Sequence, residues 1–249
     1  MEKTSPKIVV VVPTYDERTN LPVLVNLLMD LGLPDLHILV VDDNSPDGTG
    51  EVADKLSADT AGRVGVLHRK EKDGLGRAYV AGMTRALAEG ADVVVQMDAD
   101  LSHPASRLPV MIETLLAEDA AGDAAVVIGS RYVAGGSLAT EWPWHRKVLS
   151  AWANLYVNAI LRLRVEDATA GFKAWRASTL KAIDVSSVRS NGYSFQVEMN
   201  YRTVRRHLRI VEVPIRFEER VAGESKLGLS VQIESALAPW KLLFGRDSR

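Results

Sequence analysis

Two hydrophobic periods alternate through the first half of the chain. Apolar runs rich in Val and Ile occupy residues 8–12, 37–41, 64–67, 93–97 and 125–128. Between them, residues 21–31, 50–56, 75–89 and 108–117 repeat their apolar positions at helical spacing. Strand-length runs separated by amphipathic helices predict βαβ units and a parallel sheet. Because runs such as Ile8-Val9-Val10-Val11-Val12 are apolar at every position, the strands are expected to be covered by helices on both faces. After Ser130 the alternation stops. The remainder reads as a long helix over 145–163, a short segment over 167–176, a helix over 195–207, a strand over 210–217 and a last helix after Leu229. The expected class is α/β, as a single domain over residues 1–249, with amphipathic helices at about 145–163 and 229–246.

Ligands of open α/β sheets sit outside the carboxyl ends of the strands, so the polar residues there come first. They are Pro13-Thr14-Tyr15-Asp16-Glu17, Asp42-Asp43-Asn44-Ser45 and Asp98-Ala99-Asp100. The last is a D-x-D triplet, a common pattern on surface turns. Its weight comes from directly following Val93-Val94-Val95-Gln96-Met97, so that both carboxylates emerge where a buried strand meets solvent. Carboxylates held close repel, and a divalent cation relieves the repulsion; oxygen ligands of this kind suit Mg²⁺ or Mn²⁺. His103, beside Pro104, reads equally as a structural residue or a ligand. Asp42 and Asp43 belong either to an Asx-rich turn with Asp47 or Thr49 capping the next helix, or to an acceptor for a base or ribose, and the two readings can fall on different residues. Gly74-Leu75-Gly76 opens a helix; a tight turn and close packing are the preferred reading over an anion site. Neither a P-loop nor a G-x-G-x-x-G turn is present.

Composition narrows the classes further. With 47% hydrophobic and 25% charged residues the chain can bury a sizeable core. A formal net charge of -2 gives no field for nucleic acid, so no nucleic-acid partner is expected and any anion must be met by a local Arg and Lys cluster. The absence of cysteine excludes disulfides, thiolate catalysis and Cys-ligated metals. No signal peptide is read at the N-terminus, and no run approaches the roughly 18 to 20 apolar residues of a transmembrane helix.

Further blocks join these three: His103-Pro104 after the triplet, Gly129-Ser130-Arg131-Tyr132, Asp167-Ala168-Thr169-Ala170-Gly171-Phe172-Lys173, Gly192-Tyr193-Ser194-Phe195-Gln196-Val197-Glu198-Met199, and Arg220-Val221-Ala222-Gly223-Glu224-Ser225-Lys226. Together they resemble the dolichol-phosphate mannosyltransferase group of family 2 glycosyltransferases, whose nucleotide-binding fold is called GT-A. The resemblance implies a single catalytic domain transferring mannose from GDP-mannose to a polyprenyl (dolichyl-type) phosphate, metal-dependent and inverting. It implies that Pro13, Tyr15, Glu17, Val41 and Asp43 contact the guanosine part, and that Asp98, Ala99 and Asp100 lie along the ribose and diphosphate. Asp100 would be the main metal ligand with Ser102 completing the set, where some relatives carry Gln. Arg220 and Lys226 would close over the donor diphosphate, and Arg131 and Arg146 would receive the acceptor phosphate. UDP-glucose as donor, or a non-catalytic nucleotide-binding scaffold, are the alternatives.

These residue types suit such a transfer. A phosphate monoester carries roughly -1.5 to -2 charge at neutral pH, so it is its own nucleophile and needs no strong general base. A planar guanidinium holds its oxygens bidentately. Over 145–163, apolar Leu149, Trp152, Tyr156, Ile160 and Leu163 recur at spacings of three and four between basic ends, which reads either as a core-facing helix or as one lying on a membrane. The last helix reads as a second membrane contact or a dimer face. The chain is accordingly expected at the cytoplasmic face of a membrane, held peripherally, as a homodimer or through a separate anchoring partner.

Overall fold

The computed structural model describes residues 5–117, 122–139, 143–218 and 229–244, and for 229–235 the backbone alone. In chain order the elements are β1 (Ile8–Thr14), α1 (Asn20–Met29), β2 (Leu36–Asp42), α2 (Thr49–Asp59), β3 (Val64–His68), α3 (Leu75–Ala88), β4 (Val93–Gln96), α4 (Leu108–Leu116), β5 (Val126–Ser130), β6 (Ser137–Leu138), α5 (Trp144–Leu161), β7 (Lys173–Arg176), α6 (Ala177–Ala182), α7 (Gly192–Arg205), β8 (Ile210–Pro214), β9 (Arg216–Phe217) and α8 (Leu229–Phe244). Seven strands form one sheet in the order β3-β2-β1-β4-β7-β5-β8. All its pairings are parallel except those of β7, which runs antiparallel to both β4 and β5.

Helices cover both faces, as the apolar runs require. Along β1, Ile8, Val10 and Val12 point into one core with α1 and α4, while Val9 and Val11 point into the other with α3 and α7. This is the period of two inside a continuously apolar strand. Helix α3 lies close on the sheet because Gly82 has no side chain: a Cβ there would collide with Val11 and stand 2.8 Å from Cγ2 of Val41. A third cluster, including Val157, Leu161, Val197 and Tyr201, fastens α5 to α7.

Two expectations need correction. Residues 167–176 are not merely a connecting segment, for they contain β7 in the middle of the sheet. Its Lys173 pairs in register with Gln96 and donates to Asn200 Oδ1 at 2.9 Å, so a charged strand is accommodated by a helix that comes later in the chain. The strand over 210–217 is two strands, since the chain leaves the main sheet after Pro214 and β9 pairs with β6 in a separate two-stranded sheet.

From β1 the chain winds outward through β2 to β3 and then returns to β4 on the other side of β1. The carboxyl ends of β1 and β4 therefore diverge. This switch point is where an open α/β sheet leaves a crevice for a ligand.

Candidate active site

The crevice at the ends of β1 and β4 encloses about 140 Å³. Pro13, Tyr15 and Glu17 line it from the loop after β1, Asp43 from the end of β2, Asp98, Ala99 and Asp100 from the end of β4, and Leu75 and Ala78 from α3. The two aspartates after β2 divide the roles left open by the sequence. Asp42 accepts from the Thr14 hydroxyl at 3.2 Å and the Ser45 hydroxyl at 2.6 Å and so shapes the turn. Asp43 faces the crevice and takes Arg69 Nη1 at 2.5 Å; burial pushes its carboxyl up and outweighs the pull of Arg69. Asp47 accepts from the backbone N–H of Thr49 at 3.0 Å at the start of α2. Thr49 in turn receives the N–H of Glu17 at 3.0 Å, tying this turn to the first loop. Lys72 lies 3.5 Å from the Tyr15 ring centre. Val41 does not line the crevice: it is fully buried, its side chain held beneath Gly82 of α3.

After β4 the chain turns sharply, with Leu101 at φ 66. That left-handed residue brings Ser102 back onto Asp100, whose Oδ1 accepts from the Ser102 hydroxyl at 2.6 Å and from its N–H at 3.1 Å. Asp98 is fixed from two sides. Tyr79 of α3 donates to its Oδ1 at 2.6 Å, and the ring of Tyr79 is itself stacked on Phe195. The Asp98 N–H donates to His103 Nδ1 at 3.1 Å, so a neutral His103 ring carries its proton on Nε2, which stands 4.0 Å from Asp98 Oδ2. His103 is buried and stacked on Phe172, which makes it a support for Asp98.

These residues fit a hard divalent cation. Burial first, then the charge and hydrogen bond of Asp98 and the charge of Asp100, push the Tyr79 hydroxyl well above its ordinary range, so it stays a donor to the triplet. Among the described residues no group of three or more His, Cys, Asp or Glu converges, so the protein offers a partial set of oxygen ligands that suits Mg²⁺ or Mn²⁺ retaining water and phosphate oxygens. The Ser102 hydroxyl is engaged with Asp100, which makes it a support for that carboxylate as the site stands.

A second cavity, of about 300 Å³, runs between α5, α7 and α8. Its walls are apolar, with Leu149, Trp152, Tyr156, Val157 and Val197, and Arg131 and Arg146 are among its lining residues. Arg131 is gripped by Asp167, which accepts from Nε at 2.7 Å, from Nη2 at 2.6 Å and from the backbone N–H at 3.0 Å. Thr169 accepts from the same Nη2 at 2.8 Å. Burial opposes the charge of Arg131, but the hydrogen bonds and charge of Asp167 outweigh it and hold the guanidinium above its ordinary pKa. Behind the pair lies Lys173, fully buried, its pKa lowered by burial to about 7 against the opposing charges of Asp167 and Glu212. Arg220 and Lys226 lie outside the described residues.

The match to known proteins follows this layout. Residues 9–183 fit the model of the glycosyl transferase family 2 proteins. The chain belongs to that family. It is 48% identical over 221 residues to an undecaprenyl-phosphate mannosyltransferase of Micrococcus luteus, covering 89% of this chain and 87% of the relative. It is 47% identical over 218 residues to a polyprenol monophosphomannose synthase of Mycolicibacterium smegmatis, covering 88% and 80%. Its place is thus in the polyprenyl-phosphate mannosyltransferase group, as the sequence blocks indicate, and it is a glycosyltransferase rather than a scaffold. The GT-A-like fold is shared with glucosyl-3-phosphoglycerate synthase of Mycobacterium tuberculosis, solved with Mn²⁺, UDP and glucosyl-3-phosphoglycerate, at a TM-score of 0.68 and 18% identity over 96% of this chain and 80% of that one.

Sequence reasoning assigned no role to Tyr79, Arg69 or Asp167. Asp167 stood in a quoted block, but its partner is 36 residues away and is revealed only by the fold. No helix among the described residues is long and apolar enough to cross a membrane.

Proposed function

We propose that this glycosyltransferase moves mannose from GDP-mannose to the phosphate of a polyprenyl monophosphate. The observation that carries the reading is an apolar groove lined by two arginines, together with a crevice at the sheet's switch point that ends in two carboxylates. A lipid phosphate has that division of chemistry, with a charged head for Arg131 and Arg146 and a hydrocarbon chain for the aromatic walls. The names of the relatives support the same acceptor and sugar.

In this reading Pro13, Tyr15, Glu17 and Asp43 hold the guanosine part, and Asp98 and Asp100 lie along the ribose and diphosphate. A divalent cation held by Asp100 would supply charge to neutralise the departing diphosphate. Ser102 keeps Asp100 oriented, and Tyr79 and His103 do the same for Asp98. Arg220 and Lys226 would close over the donor. Arg131, fixed by Asp167, aims the acceptor phosphate, and Arg146 adds charge. An acceptor oxygen forms the new bond to the anomeric carbon as the bond to GDP breaks, with inversion; no covalent enzyme intermediate is needed. The reaction then takes place at the cytoplasmic face of a membrane, with the chain bound peripherally.

Donor competition tests this. Equal amounts of GDP-mannose and UDP-glucose, distinctly labelled, are offered with a polyprenyl phosphate and either Mg²⁺ or a chelator. Mannose should transfer, and the chelator should stop it. Preferred transfer of glucose would overturn the donor, and chelator-resistant transfer would overturn the metal.

A further inference from the structure

The outward face of α5 meets the face that lines the acceptor groove only at Trp152. Trp144, Val148, Trp152, Leu155, Ala159 and Arg162 follow at steps of four, four, three, four and three, so they share one side of the helix. Asn154, Val157 and Leu161 are its buried residues. Trp144 is 76% exposed, Val148 58%, Trp152 55% and Leu155 68%, an apolar stripe that the described residues leave more than half open.

The stripe ends in a basic hollow. Arg162 caps α5 in the left-handed conformation, and Arg164 takes the same conformation at φ 57. With Arg205 and His207 from the end of α7 they surround a cavity of about 470 Å³ floored by Leu161 and Val204. Among the described residues no ion pair joins any of these four to an acid, which leaves the three guanidinium groups open to an outside anion. Arg162 and Arg164 also border a neighbouring groove of about 900 Å³. There Asn154 is buried, at 5% exposure, and neither of its amide atoms has a hydrogen-bond partner. Glu166 is the acid among the residues lining the two hollows.

We propose that Arg162, Arg164, Arg205 and His207 form a binding site for the phosphate headgroup of an anionic membrane lipid, separate from the acceptor site. The stripe selects a lipid surface as the source of the phosphate. A helix lying with this face in the bilayer interface places Trp152 and Leu155 among the acyl chains. Arg162, about 15 Å further along the axis than Trp152, then reaches the headgroups at the end of the stripe. The basic hollow supplies the anion's partners. The site rests on the proposed lipid acceptor only in setting α5 against a bilayer.

Flotation with phosphatidylcholine vesicles, with and without phosphatidylglycerol, tests it using the full chain. Wild-type protein should prefer the anionic vesicles. The combined variant Arg162→Gln, Arg164→Gln, Arg205→Gln should lose that preference by roughly a hundredfold, at about fivefold per arginine. Transfer to detergent-dispersed acceptor should be unchanged, which certifies its fold. Removing equal charge elsewhere, with Lys55→Gln, Arg63→Gln and Lys181→Gln, should leave the preference intact. Equal loss in both variants would reduce the site to general surface charge and overturn it, as would undiminished binding by the first. Saturable binding of glycerol phosphate in solution, without preference for anionic vesicles, would overturn the lipid source. A chain that prefers anionic vesicles but transfers no sugar would refute the proposed function and leave this site standing.

Discussion

Replacing Asp167 with Asn removes the carboxylate that holds the Arg131 guanidinium. The Asp167 side chain is 0% exposed and that of Arg131 9%, and two charge-assisted bonds of 2.6 and 2.7 Å join them. The substituted amide would keep the volume but leave Arg131 buried without its carboxylate, and would also strip Lys173 of the larger of the two charges that support its protonated form. Breaking a buried pair from one side costs about 3–5 kcal/mol, against a total stability of about 5–15 kcal/mol. With a urea dependence of about 2–3 kcal/mol per molar for a chain of this size, the unfolding midpoint should fall by roughly 1–2 M. In the folded fraction, Arg131 loses its fixed orientation, so KM for the polyprenyl phosphate should rise while KM for the nucleotide sugar stays put. Urea unfolding followed by circular dichroism, with steady-state kinetics varied in each substrate, measures both. A midpoint within about 0.3 M of the parent would refute the energetic argument. A donor KM that rises as much as the acceptor KM would refute the positioning role.

Other variants probe separate links. Tyr79→Phe deletes the 2.6 Å bond to Asp98 and should lower kcat/KM roughly 10- to 100-fold, from a charge-assisted bond worth about 1.5–3 kcal/mol; an unchanged value would show that Asp98 needs no support from α3. Lys173→Met should flatten the pH dependence of stability. The native pKa of about 7 lies below the ordinary 10.5, so between these values the unfolded chain binds the proton that the native state has released, and wild-type stability rises with pH by an amount on the order of a few kcal/mol. Below pH 7 both states are protonated and this contribution is flat; chemical denaturation across that window should show the rise in wild type and a smaller one in the variant. Gly76→Ala should destabilise by about 1–3 kcal/mol, because the new Cβ would collide with the Ser190 carbonyl oxygen; a midpoint equal to wild type would show that the contact between α3 and residue 190 is loose.

The parallel half of the sheet was legible because its strands are covered on both faces, which leaves continuous Val and Ile runs and puts the D-x-D triplet at a predictable rim. β7 was not legible. Lys-Ala-Trp-Arg is short and carries two charges, and the partners that make it tolerable, Gln196 and Asn200, are 23 and 27 residues from Lys173. Helical spacing presents the stripe on α5 as one surface, and the structure divides it. Tyr156, Ile160 and Leu163 pack toward α7, whereas Leu149 and Trp152 remain exposed. Helical spacing shows that a face is apolar and cannot show which part a neighbour covers. Asp98 and Asp100 stand out in the sequence because they directly follow the apolar run that forms β4, and the structure places both in the crevice. Tyr79 was missed because nothing in an amphipathic helix distinguishes a core tyrosine from one whose hydroxyl reaches a carboxylate.

The central claim is that the crevice and the arginine-lined groove act on one sugar. Purified protein given radiolabelled GDP-mannose, a polyprenyl phosphate and Mg²⁺ should place the label in the organic phase as a lipid monophosphate ester of mannose. The Asp100→Ala and Arg131→Gln variants should leave it in water. Nucleotide binding with no label entering lipid, for any polyprenyl phosphate offered, would contradict the account.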